Sequence, residues 1–423
     1  MPLRAAFAET DITPPIGTGK IGWIKRQVAE RILDPLMARC CVLEAGGRAV
    51  AFVSLDTLSV RWTQTAEIRR RATERPGLAG AGVMVSATHN HAGPAIVHLG
   101  DVPRDEAYAE MVVTRVADML GRAAAGLEPA EVGFGWAFEF DIPRNRRVIM
   151  RDGTVQTHGS FRDPNALCFE GPVDPEVAVM GVRDEGGRPL GTIINFTCHP
   201  THHGDGGDIS GGYPGALARQ MQARGWPVTV FLNGACGNVQ HSDPAGRRPP
   251  PSAEEIASRL AGHAETVLSA MRFSPAAELG SAARTIQLPY RTITPQEIAG
   301  TVRGAQRFVD PAAYDRDIPR LLERIRRRGA QPAEVQAIRI NDVAVAGVPA
   351  EYFVQLGLRI KEQSHPRHAL VVSHANGMVG YVPHKEAFLR GGYETTFAGS
   401  SRLAPEAGDL LADKAVELIR KGP

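Results

Sequence analysis

Short apolar runs alternate along the chain with segments in which apolar residues recur every three or four positions. The runs cover 49–55, 83–86, 178–182, 191–196 and 228–232, and they are rich in Val, Ile and Phe. Such runs are typical of strands covered on both faces. Helical spacing is found at 65–74, 105–125, 213–223 and 253–272. The alternation predicts an α/β fold with mixed β-sheets covered by helices.

The pattern is less regular in the second half of the chain. A Pro- and Arg-rich stretch at 243–251 predicts a loop, and a helix, a strand near 284–288 and a charged helical pair ending near Arg328 follow it. Strands at 337–340 and 343–347 flank Asn341 and Asp342, a turn pair, and a helix at 404–419 comes last. We therefore predict one domain over 1–423, in which 243–330 is a subdomain or a surface insertion.

Composition narrows the class of protein. The chain has 423 residues, of which 43% are hydrophobic and 22% charged, as in ordinary globular proteins. Its 48 basic and 46 acidic side chains nearly cancel, which argues against nucleic acid as a partner. The N-terminus lacks the apolar core of a signal peptide, and no apolar run is long enough for a transmembrane helix. We expect a cytoplasmic protein without stable membrane insertion; the sequence leaves a homo-oligomer open.

Histidines follow two of the predicted strands. The run at 83–86 leads to His89 and His91, and the run at 191–196 leads to His199 and, further on, His202 and His203. Ligand sites in α/β proteins lie beyond the carboxyl ends of strands. His89 and His91 point to one face of an extended chain, so that both could bind one metal, or one could bind while the other moves protons. Imidazoles from separate segments fit a catalytic zinc ion with an open position for water.

Two Gly-rich segments predict contacts between backbone and ligand. Residues 233–241 follow the run at 228–232 and carry small residues, so amides within 233–237 could line an oxyanion site. Residues 208–215 enter a helix, where exposed amides would suit an anionic group. Ser210 and Ser242 lie nearby without a GxSxG elbow, and we expect them to be hydrogen-bonding loop residues rather than nucleophiles.

Taken together, several motifs resemble those of the neutral/alkaline ceramidase family. In order they are 11–15 with 34–39, 88–94, 145–147, 195–201, 231–239 and 349–352, so the resemblance extends from residue 7 to about 415. It implies the fold of that family's catalytic domain. It also implies that one zinc ion is held by His89, His199, Glu351 and Tyr381. The family's second histidine corresponds to His91, its Asn-Arg arginine to Arg146, and a further tyrosine to Tyr393.

The sequence departs from the family in two places. The ceramidases have Gly-Asp-Val-Ser where this chain reads Gly237-Asn238-Val239-Gln240, so a covalent serine mechanism is not expected. The additional C-terminal immunoglobulin-like domain of the secreted ceramidases has no counterpart in this sequence. Ceramide is therefore not the expected substrate, and we expect a small-molecule amide with a polar or small acyl part.

The resemblance implies a zinc-dependent hydrolase that cleaves an N-acyl or cyclic amide with metal-activated water. His91 would transfer a proton to the leaving group, and Arg146 and Tyr393 would hold the developing oxyanion or a substrate carboxylate. A lactone or ester hydrolase on the same zinc site is an alternative. A non-catalytic zinc-binding protein is a second alternative, although structural zinc sites usually contain cysteine ligands and no cysteine here has that spacing.

Overall fold

The computed structural model describes residues 1–23, 27–74, 78, 82–98, 102–308, 310–365 and 368–422. Its strands in chain order are β1 Leu3–Asp11, β2 Gly19–Ile21, β3 Gln27–Val28, β4 Arg31–Ile32, β5 Met37–Ala45, β6 Arg48–Leu55, β7 Val83–Ala87, β8 Gly93–Pro94, β9 Glu128–Phe138, β10 Arg144–Asn145, β11 Arg147–Met150, β12 Val155–Thr157, β13 Ala166–Phe169, β14 Glu176–Asp184, β15 Pro189–Phe196, β16 Asp208–Ile209, β17 Thr229–Asn233, β18 Val239–Gln240, β19 Leu279–Pro289, β20 Ala330–Ile340, β21 Val343–Gly347, β22 Glu351–Tyr352, β23 His368–Val372 and β24 Tyr381–Val382.

The helices cover the predicted helical segments and shorter stretches of the second half. In chain order they are α1 Trp62–Thr73, α2 Glu106–Ala125, α3 Gly212–Ala223, α4 Ala253–Ser269, α5 Pro295–Ala299, α6 Pro311–Arg328, α7 Val354–Gln363, α8 Ala387–Arg390 and α9 Ala407–Lys421. The predicted helix at 65–74 begins three residues earlier, at Trp62, where Gln64 accepts a hydrogen bond from the Arg61 backbone. The predicted α/β class with mixed sheets is confirmed.

Two sheets organise the described residues. The larger has eight strands in the order β17-β15-β14-β9-β1-β5-β6-β7, and the smaller has four in the order β19-β20-β21-β23. Both contain parallel and antiparallel pairs; β15 runs parallel to β17, and β6 runs parallel to β7. The two halves of the larger sheet are paired where β1 meets β9, over two residue pairs.

The hydrophobic cores show how the sheets are covered. One core contains side chains from both halves of the larger sheet and from the smaller sheet, including Leu43, Met180 and Val345. Helices α1 and α2 cover the other face of the β1-β5-β6-β7 half, whereas α3 and α4 cover that of the β9-β14-β15-β17 half. Helices α7 and α9 cover the outer face of the smaller sheet. Strands buried on both faces explain the continuous apolar runs of the sequence.

Much of 243–330 contributes to these cores. Helix α4 buries Ile256 and Leu260 beside α3 and β14, and β19 pairs with β20 from Leu279 to Pro289. A division of the chain into domains stays a prediction. None of the helices in the described ranges combines the length and hydrophobicity that a bilayer-spanning segment requires.

Candidate metal centre

The ends of β7 and β15 lie close together, although these strands are far apart in the sheet order. The Ser54 hydroxyl of β6 donates a hydrogen bond to the Phe231 carbonyl of β17 at 2.6 Å. The Asn233 side chain at the end of β17 donates to the Thr88 carbonyl at 2.9 Å. These contacts connect the two edges of the larger sheet, so the residues that follow β7 and β15 meet.

His89, His91 and His199 form a cluster at this meeting point. Nε2 of His89 lies 2.9 Å from Nε2 of His199 and 3.2 Å from Nε2 of His91. One potential ligand atom from each of the three residues lies within 4.8 Å of the others. The cluster is largely closed to solvent, since His89 and His199 are buried and His91 is partly buried.

Backbone carbonyls determine the tautomers of these imidazoles. Nδ1 of His89 donates to Leu58 at 2.8 Å, Nδ1 of His91 to Gly22 at 2.8 Å, and Nδ1 of His199 to Cys236 at 2.9 Å. Each Nε2 therefore presents a lone pair to the others. Burial, followed by the nearby His89, lowers the pKa of both His91 and His199 well below the usual range, so protonation does not relieve this repulsion. A cation between the rings would relieve it.

Glu351 adds an oxygen to the cluster. Its Oε2 lies 3.3 Å from Nε2 of His89 and 3.7 Å from Nε2 of His199. Within the described part of the chain this buried oxygen has no hydrogen-bond partner. An unpaired carboxylate oxygen is costly to bury unless it binds a cation. The structure thus brings together three of the four residues that the family resemblance implied as zinc ligands: His89, His199 and Glu351.

Tyr381 lies beside Glu351 because their short strands pair. Strands β22 and β24 are parallel, with Tyr381 opposite Glu351. Its hydroxyl oxygen accepts a hydrogen bond from Nη2 of Arg146 at 3.1 Å. Burial, with the charge of Glu351 adding to it, raises the pKa of Tyr381 well above its usual range. A bound cation and Arg146 would both favour the phenolate that a metal ligand requires.

The donor set fits a zinc ion. Nitrogen and oxygen ligands about 2.0 to 2.2 Å from zinc in a tetrahedron lie about 3.3 to 3.6 Å from one another. The distances of 2.9, 3.3 and 3.7 Å among His89, His199 and Glu351 lie close to that separation. His91 is also near enough to be a ligand. Other divalent ions accept the same donors, so the arrangement supports a metal without identifying it.

Arg146 belongs to a buried ion network beside the cluster. Its Nε donates to Oε1 of Glu394 at 2.8 Å, while Arg147 donates to Oε2 of Glu394 at 2.7 Å. Burial acts to raise the pKa of Glu394, but the charges of Arg146 and Arg147 outweigh it and lower that pKa to about 2. Tyr393 precedes Glu394, and its ring centroid lies 5.5 Å from that of Tyr381. Arg146 and Tyr393 therefore both lie next to Tyr381.

Two residues of the centre, His374 and Glu394, were not predicted from the sequence. The His374 ring stacks on that of His89, with 4.0 Å between centroids and 8° between planes. His374 follows β23 as His89 follows β7, so the same rule of a histidine after a buried strand would have found it. Both residues have left-handed φ values, 66° for His89 and 56° for His374. Such backbone strain is common at functional sites.

Some amides of both Gly-rich segments already donate to acceptors within the chain. Gly234 and Gly237 donate their amides to the carbonyls of Phe196 and Tyr352, at 2.9 and 2.8 Å, so the prediction that these two amides bind an oxyanion was wrong. At the start of α3 the Gly211 amide donates to the chain's own Asp34 carboxylate at 2.8 Å. Asp34 also accepts from the Ser210 hydroxyl at 2.5 Å, which confirms Ser210 as a hydrogen-bonding residue.

Known proteins similar in sequence and fold include neutral ceramidase. No protein-family model matches the chain. Neutral ceramidase from Pseudomonas aeruginosa is 25% identical over 213 residues, which are 48% of this chain and 30% of that protein. The crystal structure of that neutral ceramidase aligns with 100% of this chain and 75% of its own, with a TM-score of 0.76 and 21% identity. A ceramidase complexed with C2 aligns with 99% of this chain and 75% of its own, with a TM-score of 0.76 and 20% identity.

The fold and the site define an α/β protein with a histidine-rich candidate metal centre at its strand ends. By sequence and by fold the chain is neutral ceramidase-like. The matched sequence spans less than a third of the curated relative, 30% of its length.

Proposed function

We propose that the chain is a zinc-dependent amide hydrolase acting on a small-molecule N-acyl or cyclic amide. The observation that carries the proposal is the convergence of three imidazole Nε2 atoms and the unpartnered Glu351 Oε2. The similarity to neutral ceramidase supports amide cleavage as the reaction. A bound divalent ion such as zinc polarises a carbonyl and makes water acidic enough to act as a nucleophile at neutral pH.

His89, His199, Glu351 and Tyr381 would hold the ion in this proposal. The three backbone carbonyls that accept from the imidazole Nδ1 atoms orient the cluster before metal binds, and such outer contacts strengthen metal sites. Stacking of His374 on His89 restricts the rotation of that ring. These contacts hold the imidazole rings in place, with their Nε2 atoms directed toward the proposed metal position.

His91 would move a proton to the leaving nitrogen. Its Nδ1 donates a hydrogen bond to the Gly22 carbonyl. Nε2, which carries the lone pair, is therefore the atom that takes up and returns the proton. Burial keeps the pKa of His91 low, which favours the neutral base form. Arg146 and Tyr393, beside Tyr381, are suited to stabilise negative charge that develops on the carbonyl oxygen.

Amide and ester analogues of one acid test this function. Protein purified without chelator would be assayed on N-acyl amides and the matching esters, then after chelation, and again after zinc is restored. We expect chelation to abolish amide hydrolysis and added zinc to restore it. We expect His199→Ala to remain inactive when zinc is added. His263→Ala, a substitution on α4 beside Glu139, is the matched control and keeps the activity.

Three other outcomes would each contradict the proposal. Hydrolysis of esters alone would identify a lactone or ester hydrolase. Stoichiometric metal without turnover of either series would identify a non-catalytic metal-binding protein. Amide hydrolysis that survives complete metal removal would show that the histidine cluster has another role.

A further inference from the structure

Three side chains have no part in the mechanism above: His158, Gln240 and Phe308. We call them the His158 group. His158 follows β12, Gln240 ends β18, and Phe308 precedes α6. The His158 amide donates to the Arg146 carbonyl at 2.8 Å, and Gln240 lies opposite Arg144 in the β10–β18 pair. The backbone that carries Arg146 therefore positions both polar members of the group.

Aromatic rings connect this group to the candidate metal centre. The His158 ring centroid lies 6.0 Å from that of Phe308, and Phe308 lies 5.1 Å from Tyr393. Tyr393 in turn lies 5.5 Å from Tyr381, beside Glu351. A molecule whose reacting carbonyl is at the metal centre would extend along these rings toward His158.

The polar atoms of the group are uncharged. His158 is exposed, yet burial and then the charge of Arg146 lower the pKa of its imidazole to about 4. The neutral imidazole carries one N–H donor and one nitrogen acceptor. The Gln240 amide, which reaches the same imidazole, also carries both, and its Nε2 donates one hydrogen bond to the Ser242 carbonyl at 3.4 Å.

Charge also restricts what this region can recognise. The guanidinium of Arg146 already has Glu394 and Tyr381 as partners, and Glu394 is shared with Arg147. A second carboxylate placed there would compete with Glu394 for the same donors. The group is therefore better matched to a neutral hydrogen-bonding substituent than to an ionised one.

We propose that His158, Gln240 and Phe308 form the subsite for the part of the substrate beyond the scissile bond, and that this subsite selects a neutral hydroxyl or amide group packed against aromatic rings. The proposal rests on the proposed function, because it takes the histidine cluster as the place of the reacting carbonyl. It assigns a role to Gln240, which occupies the position of a serine in the ceramidases.

Matched pairs of amides test the subsite. N-hexanoylethanolamine and N-hexanoylpropylamine differ by a hydroxyl in place of a methyl group on the amine part. N-ethylpentanamide and its analogue with a terminal hydroxyl in place of the methyl differ in the same way on the acyl part. Both pairs would be measured with zinc-loaded protein, by kcat/KM and by Kd from ligand-observed NMR, in the unmodified chain and in His158→Phe, Gln240→Met and His263→Phe.

We expect the hydroxyl member of one pair to be preferred about tenfold, the usual effect of one neutral hydrogen bond. His158→Phe and Gln240→Met should each reduce that ratio toward one, and the control His263→Phe should retain it. Two variants are used so that a folding defect in one leaves the other informative. An unchanged ratio in both, or no preference in either pair, would overturn the proposal.

The Kd measurement separates this inference from the proposed function. If none of the four amides is hydrolysed but the hydroxyl preference in Kd is present and is lost in both variants, the subsite stands and amide hydrolysis fails. If the amides are hydrolysed without any hydroxyl preference, the proposed function stands and the subsite fails.

Discussion

At the residue scale, the capacity to bind a metal depends on which side-chain atoms already have hydrogen-bond partners. Nδ1 of each clustered histidine donates to a backbone carbonyl, and Oε2 of Glu351 has no hydrogen-bond partner among the described residues. The family resemblance implied His89, His199, Glu351 and Tyr381, and the first three lie in the quoted motifs 88–94, 195–201 and 349–352. Glu394 was missed because its importance comes from an ion network that only the fold creates, whereas His374 follows a buried strand and could have been found by the rule that indicated His89.

Replacing His91 distinguishes a proton carrier from a metal ligand. We expect His91→Ala to retain the metal of the unmodified protein and to lose about 100- to 10,000-fold in kcat, the usual contribution of a positioned acid-base group. His199→Ala should lose both metal and turnover. Elemental analysis and steady-state kinetics on the same preparations measure this. Equal metal loss in the two variants would make His91 a ligand instead.

The buried Glu394 predicts a pH dependence of stability. Its pKa falls from an ordinary 4.5 to about 2 on folding, so the unfolded state binds this proton first as pH decreases. The stabilisation is present above about pH 4.5 and is lost as pH falls toward about 2, and it amounts to about 3 kcal/mol. The free energy of unfolding of the unmodified chain minus that of Glu394→Gln should shrink over this interval. If this difference in unfolding free energy stayed constant from neutral pH to about pH 2, the claim that the ion network lowers the pKa of Glu394 would be contradicted.

At the element scale, local signals predicted eight of the 24 described strands and most of the described helices. Asn341 lies between β20 and β21 with a φ of 55°, as expected for the predicted turn pair, and its side chain accepts a hydrogen bond from the Glu278 amide at 2.8 Å. The helix predicted at 253–272 ends at Ser269 because the next segment turns back along β9, where Ser274 and Val132 exchange backbone hydrogen bonds at 2.9 Å. This turn depends on a distant strand that helical spacing cannot reveal.

The capping box of α4 gives a prediction for one element. Ser252 accepts from the Glu255 amide at 3.2 Å, and Glu255 accepts from the Ser252 amide at 2.7 Å. We expect Ser252→Ala to lower the free energy of unfolding by about 1 kcal/mol. Ser269→Ala at the other end of α4 is the control, with a change near zero. Similar losses in urea unfolding of both variants would contradict a specific effect of the cap.

At the scale of the whole molecule, the sequence predicted the α/β class but not how the sheet brings its ends together. β7 and β15 are six places apart in the strand order, and contacts from Ser54 to Phe231 and from Asn233 to Thr88 connect the edges. These contacts join residues that are 177 and 145 positions apart in the chain. No local pattern encodes that distance, so the family motifs were needed to predict the complete site.

Metal binding should stabilise the whole fold, because it relieves the repulsion among converging imidazole lone pairs. With free zinc at about 100 times its Kd, we expect about 2.7 kcal/mol of added stability, which chelation removes. Thermal unfolding of the chelated and the zinc-loaded protein measures this difference. His199→Ala is the matched control; a zinc-dependent shift of equal size in that variant would indicate that zinc binds elsewhere.

The most direct test of the central claim is the metal content of the unmodified chain, measured by elemental analysis after purification without chelator. We predict about one zinc ion per chain at the cluster of His89, His199 and Glu351. The absence of any stoichiometric divalent metal, in protein that also fails to take up added zinc, would contradict the account.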